Sequence, residues 1–167
     1  NPDIRQGLAA EYPGVCLYRD YRDLLAEDVP AVIIATPAPT HHAIAREALL
    51  AGKDVFVEKP LALSGAEAAE LVKTAGRHNR ILMTGHLLLY QPAIRRVKDY
   101  LESGALGRIA FFAQERLKFG RVRAAESVLW SFGVHDIAVL LYLVGQKPQK
   151  VAATGRCFLQ ENIEDAV

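Results

Sequence analysis

Apolar positions along the first half of the chain follow two alternating periods. Ile4, Leu8 and Tyr12 stand four apart, the spacing of one helix face, and predict a helix over 4–12. Val15 to Tyr18 reads as a short strand and Tyr21 to Glu27 as a short helix. Ala31 to Ala35 (AVIIA) is apolar throughout, the pattern of a parallel strand covered on both faces. Thr36-Pro37-Ala38-Pro39 stops it, because proline fixes φ and has no N–H for a ladder. Thr40 to Ala51 reads as a helix closed by Gly52, and Asp54 to Val57 as the next strand, ending at Glu58-Lys59-Pro60. Ser64 and Glu67 form an S-x-x-E capping box, which starts a helix running to about His78. Ile81 to Thr84 is another apolar strand.

Beyond Gly85-His86 the rhythm changes. Gln91 to Ser103 predicts a helix with Ile94, Val97 and Leu101 on one face. Ile109 to Leu117 reads as a strand wet on one side, Arg121 to Glu126 as a polar loop, Val128 to Leu143 as a helix, and Val151 to Leu159 as a last strand.

The order strand–helix–strand–helix–strand is that of an α/β, doubly wound (Rossmann-type) parallel sheet, with strand ends lining a ligand crevice. Such a fold opens with a strand and a G-x-G-x-x-G turn, and the chain has no such sequence. The expected architecture is therefore an incomplete sheet lacking its first strand and Gly-rich turn over residues 1–86, followed by part of an α+β domain over 87–167 for substrate binding and oligomerisation. A chain truncated at both ends and an edge strand left unpaired predict self-association.

Composition narrows the partners. Twenty Lys and Arg oppose 19 Asp and Glu among 167 residues, which leaves no electrostatic footprint for nucleic acid. No apolar run approaches a membrane span. Cys16 and Cys157 are isolated, as in a protein of a reducing, cytoplasmic compartment. His41 and His42 are adjacent and so diverge on a helix; no metal site is expected.

Lys59 follows a buried-type strand, where it can donate to a substrate hydroxyl or release a proton; it can equally be a surface lysine beside a turn. His135-Asp136 lies in an otherwise apolar helix, so both side chains need partners. They are either a structural pair or proton-handling groups for an alcohol. Thr36, Pro37 and His86 end strands and should line the crevice. Arg116, Lys118 and Arg123 can meet a carboxylate or phosphate, or be solvated. No G-x-S-x-G elbow is present, which disfavours a hydrolase.

VIIATP at 32–37, His41, AGKDVFVEKPLA at 51–62, TGH at 84–86, LESGALGRI at 101–109 and GVHDI at 133–137 together span nearly the whole chain. This combination resembles the family of glucose–fructose oxidoreductase and inositol dehydrogenase. Arg116 to Gly120, Val122-Arg123 and Val128 to Phe132 are similar to a narrower group. Its members are bacterial dehydrogenases that oxidise the 3-hydroxyl of UDP-linked N-acetylated uronic acids.

The resemblance implies an NAD cofactor, with NADP left open, a sugar or sugar-nucleotide substrate and a homo-oligomer. It implies catalytic roles for Lys59 and His135, and a cofactor side made by Thr36, Pro37, His41, Glu58, Lys59, Pro60 and His86. Substrate contacts would come from Lys59, Arg116, Arg123, Trp130, His135 and Asp136. Many relatives have Asp one turn before the histidine; here Ser131 stands there, in keeping with the sugar-nucleotide branch. A non-enzymatic paralogue, or a site completed by another chain, is the alternative reading.

Overall fold

A computed structural model of the chain describes residues 2–117, 122 and 125–167. Helix α1 (Pro2–Glu11) leads to α2 (Tyr21–Ala26), whose N-cap Asp20 accepts a hydrogen bond from the Arg22 N–H at 2.9 Å. Strand β1 (Ala31–Ile34) is followed by a 3₁₀ turn at Ala38–Thr40 and α3 (His41–Leu50). Strand β2 (Asp54–Val57), helix α4 (Gly65–Arg77) and strand β3 (Leu82–Thr84) come next. A second 3₁₀ turn at Leu87–Tyr90 precedes α5 (Pro92–Glu102). A π-helical turn over Leu129–Gly133 runs into α6 (Val134–Val144). Gly145 ends α6 in the left-handed region at φ 71° and returns its N–H to the Leu141 carbonyl, a conformation that favours glycine.

The sheet is parallel with order β1-β2-β3. Helix α3 crosses from β1 to β2 and α4 from β2 to β3, and the two helices pack on each other, so both cover one face. The sequence marks the start of α4 well: Ser64 Oγ accepts from the Glu67 N–H at 3.2 Å, and the Glu67 carboxylate accepts from the Leu63 N–H at 3.3 Å. The core between helices and sheet contains Ile34, Ala45, Ala48, Leu49, Val55, Val57, Leu71 and Ala75. Each large apolar side chain buried there stabilises the fold by about 1.5–3 kcal/mol.

The opposite face is only partly covered among the described residues. Ile33, Phe56 and Met83 pair in register across the three strands, and Ile33 is 76% exposed. The expectation that AVIIA is covered on both faces is therefore corrected: with both crossover helices on one side, alternate apolar residues of β1 face solvent.

Three further strand expectations fail. Residues 15–18, 109–117 and 151–159 form no ladder; the last contributes one antiparallel bridge, Arg156 to Ala166. A strand needs a neighbour for its N–H and C=O groups along its length, and among the described residues these segments have no such ladder beyond the bridge at Arg156. Phe111, Leu117 and Val151 are accordingly more than three-quarters exposed.

Candidate active site

The ends of the three strands gather the polar residues. Ladder bonds continue one step past β2 and β3: the Glu58 N–H donates to the Ile34 carbonyl at 2.9 Å and the Gly85 N–H to the Val57 carbonyl at 2.8 Å. Thr36-Pro37, Glu58-Lys59-Pro60 and Gly85-His86 therefore leave the sheet at one edge. The Lys59–Pro60 bond is cis. A cleft of about 630 Å³ opens there, lined among others by Thr36, Pro37, His41, Glu58, Lys59 and Pro60. A Cβ on Gly85 would sit 3.1 Å from Glu58 Oε2 and 3.2 Å from the Phe56 ring, tighter than ordinary contact, so glycine leaves these two side chains their present positions.

His41, 1% exposed, lies beneath this edge. Its Nδ1 is 2.7 Å from the Pro60 carbonyl oxygen and its Nε2 2.7 Å from the Thr36 carbonyl oxygen. Both partners are main-chain acceptors, and the ring's tautomer decides which nitrogen donates. The ring ties the loop after β1 to the loop after β2.

Lys59 links the two halves of the chain. Its Nζ donates to the Ser131 carbonyl at 2.8 Å, inside the π-helical turn. Ser131 is itself buried, with its hydroxyl turned to the Val128 carbonyl at 3.5 Å. One turn later stands His135, 9% exposed. Its ring meets that of His86 edge to face, with centroids 6.4 Å apart and an interplanar angle of 82°. Burial first, then the Lys59, His86 and Arg116 charges, hold His135 below its ordinary value near 6.5, against a smaller upward pull from Asp136. Burial alone lowers His86. Both rings favour the neutral, proton-accepting form.

The Asp136 carboxylate is taken by the 109–117 segment. Arg116 Nε donates to both its oxygens at 2.8 and 2.9 Å, Arg116 Nη2 lies 2.7 Å from Oδ1, and Gln114 Nε2 donates to Oδ1 as well. Trp130 is half-buried on the π turn. Arg123 and Lys118 lie outside the described residues. The structure thus brings Lys59, His86 and His135 together, with Thr36, Pro37, Glu58 and Pro60 on the adjoining cleft, and pairs Arg116 with Asp136. Sequence reasoning missed Gln114 and the Ser131 carbonyl. Gln114 carried a signal, standing two residues before Arg116, the spacing that shares one side in the strand pattern read from the sequence. A main-chain acceptor carries none.

The site also bears on whether a nicotinamide cofactor fits. The Nδ1 atoms of His86 and His135 are buried and have no hydrogen-bond partner among the described residues. Buried polar atoms rarely stay so. Two of them beside a lysine, at the strand-end edge of a parallel sheet, are a place for polar groups of a ligand. The residues present fit the nicotinamide and substrate end of such a complex.

A parallel sheet with crossover helices and a polar strand-end crevice defines a nucleotide-binding fold of the Rossmann class. Residues 1–86 match the oxidoreductase family model described as an NAD-binding Rossmann fold, and residues 94–167 match the GFO/IDH/MocA C-terminal domain. The chain belongs to the GFO/IDH/MocA oxidoreductase family. It is 34% identical over 134 residues to UDP-N-acetylglucosamine 3-dehydrogenase of Acidithiobacillus ferrooxidans, covering 80% of this chain and 42% of that protein. To inositol 2-dehydrogenase of Burkholderia multivorans it is 30% identical, covering 80% and 41%. The solved structure of an oxidoreductase from Magnetospirillum magnetotacticum MS-1 superposes with a TM-score of 0.74 at 35% identity, over 89% of this chain and 48% of the other. A Thermotoga maritima dehydrogenase reaches 0.81 at 22% identity, over 96% and 51%, and agrees in fold. The chain spans less than half the length of the curated relatives it matches. Among the described residues no helix is long and apolar enough to cross a membrane.

Proposed function

We propose that this chain carries the strand-end site of a nicotinamide-dependent dehydrogenase that oxidises a hydroxyl of a sugar or sugar nucleotide. The observation that carries the reading is the meeting of Lys59 with His135 and His86, across a part-buried hydrogen bond from Lys59 to the π turn. The named relatives include a UDP-N-acetylglucosamine 3-dehydrogenase and an inositol 2-dehydrogenase. The first of these and Ser131 support the narrower reading, the 3-hydroxyl of a UDP-linked, N-acetylated uronic acid or related sugar nucleotide.

A bound nicotinamide, NAD or NADP, supplies the hydride acceptor. Thr36, Pro37, Glu58, Pro60 and His86 would line its side of the cleft. Lys59 holds the reacting hydroxyl oxygen through its ammonium donors and stabilises negative charge as the proton leaves. His135, kept neutral by burial, accepts that proton at Nδ1. His86 meets the imidazole in an edge-to-face contact. The proposed boundary between cofactor and substrate portions runs near residue 87, with Lys59 reaching from the first into the second.

The test is steady-state reduction of NAD⁺ or NADP⁺ by the full-length protein, with UDP-N-acetylglucosamine, the corresponding uronic acid and myo-inositol as substrates. Lys59→Met should lower kcat about a thousandfold or more while the folded circular dichroism spectrum persists. Undiminished turnover in that variant would sink the assignment.

A second reading rests on the sequence containing no G-x-G-x-x-G turn. Residues 1–167 would then need another segment or chain to hold a diphosphate. Isothermal titration of this chain alone with NAD⁺ and NADH separates the two cases.

A further inference from the structure

The proposed function leaves Asp136 and Arg116 without a task, and their geometry supplies one. Gln114 and Arg116 stand two apart in the 109–117 segment and converge on a single carboxylate twenty residues and more away in sequence. The guanidinium presents two nitrogens to it, at 2.7 to 2.9 Å, a fork that fixes direction as well as distance. The carboxylate belongs to the residue directly after His135, in the first turn of α6. That turn comes after a π-helical stretch, whose wider turn gives His135 a different facing from the one an unbroken α-helix would give. An anchor outside the helix can hold it.

We propose that Asp136 is a positioning residue, gripped by Gln114 and Arg116 so that the first turn of α6 presents His135 to Lys59 and His86. This inference rests on the reading of His135 as the proton acceptor. It gives Arg116 and Asp136 a role on each other in place of the substrate contact that the family resemblance implies.

The grip also matches a charge. The charged and titratable groups that act on the His135 ring are Lys59 after β2, His86 after β3, Arg116 from the extended segment and Asp136 on its own helix. With Arg116 in place, the Asp136 carboxylate is spent on the guanidinium. With Arg116 removed, it acts on the neighbouring imidazole alone and favours its protonated form.

The experiment pairs Arg116→Gln with Arg116→Lys in the full-length protein and reads two quantities. The first is the pH profile of kcat/KM, whose acidic limb follows the free enzyme's proton acceptor. The second is the NMR titration of the His135 ring, assigned with His135→Gln, which needs no turnover. Arg116→Gln should move both upward by about half to one pH unit, less than a fully enclosed charge partner produces. Its kcat should fall roughly ten- to hundredfold as the imidazole loses its alignment. Arg116→Lys keeps the charge and loses the fork, so the pH limb should return toward the parent's while kcat stays low. A folded Arg116→Gln protein in which His135 titrates as in the parent overturns the proposal. An NMR shift in a protein that oxidises none of the sugars upholds the grip and removes the dehydrogenase reading instead.

Discussion

His41 offers the sharpest check on how the cleft is held. The ring is 1% exposed and spans two carbonyl oxygens, at 2.7 Å each, on the loops after β1 and β2. In His41→Ala the contacts with both carbonyls vanish, the Pro60 one in a buried setting and the Thr36 one in a part-buried one, and a space the size of an imidazole opens. The bonds are worth about 0.5–1.5 kcal/mol each. Adding the lost packing of a buried ring gives a total near 2–4 kcal/mol. With a urea m-value on the order of 2 kcal/mol/M, the unfolding midpoint should fall by about 1–2 M, read by far-ultraviolet circular dichroism. Two companion variants divide the effect. Asparagine places its amide nitrogen near the position of Nδ1 and can still reach Pro60; glutamine reaches toward Thr36. Each should recover part of the loss. If His41→Ala unfolds within about 0.5 kcal/mol of the parent, the ring is not a strut between the loops, and the cleft owes its shape to something else.

Stability should also depend on acid. Burial lowers His86 and His135 from an ordinary value near 6.5, so the unfolded chain binds more protons than the native one once pH drops below that value. Their contribution is therefore present above about pH 6.5 and is lost as pH falls through the native values. Urea midpoints taken from pH 7.5 down to 5 should decline, and His135→Gln should flatten the decline; an unchanged slope in that variant contradicts the assignment. Ser64→Ala removes the cap of α4 and should cost about 1 kcal/mol, seen as a melting temperature lower by about 2–4 °C, whereas Ser64→Gly should cost only a few tenths.

The sheet was legible because its strands are short apolar runs ended by proline, glycine or a capping serine, each a local signal. AVIIA, DVFV and the Ser64 cap all stand where those signals place them. Residues 109–117 and 151–159 have comparable strand character, yet pairing is not a local property: an alternating pattern states that a segment is extended and says nothing of what lies beside it. The same limit applies to coverage, since Ile33 is as apolar as Ile34 and only the side taken by α3 and α4 decides which is buried. At the site, residue chemistry pointed to Lys59 and His135 separately. Their meeting depends on a lysine bonding to a main-chain oxygen in a π turn. Gly133, within that turn, was the one visible irregularity in an otherwise ordinary helical pattern.

The hydrogen bond from Lys59 to Ser131 joins positions 72 residues apart, and this has a consequence in time. Ribosomes add about 5–20 residues per second. Roughly 4–14 seconds therefore separate the synthesis of the lysine from that of its acceptor. Throughout that interval β1, β2 and their crossover helix can already assemble from neighbouring sequence, while Lys59 waits at the edge of a nascent sheet. The scaffold is an early product of synthesis, and the arrangement that would perform chemistry is a late one.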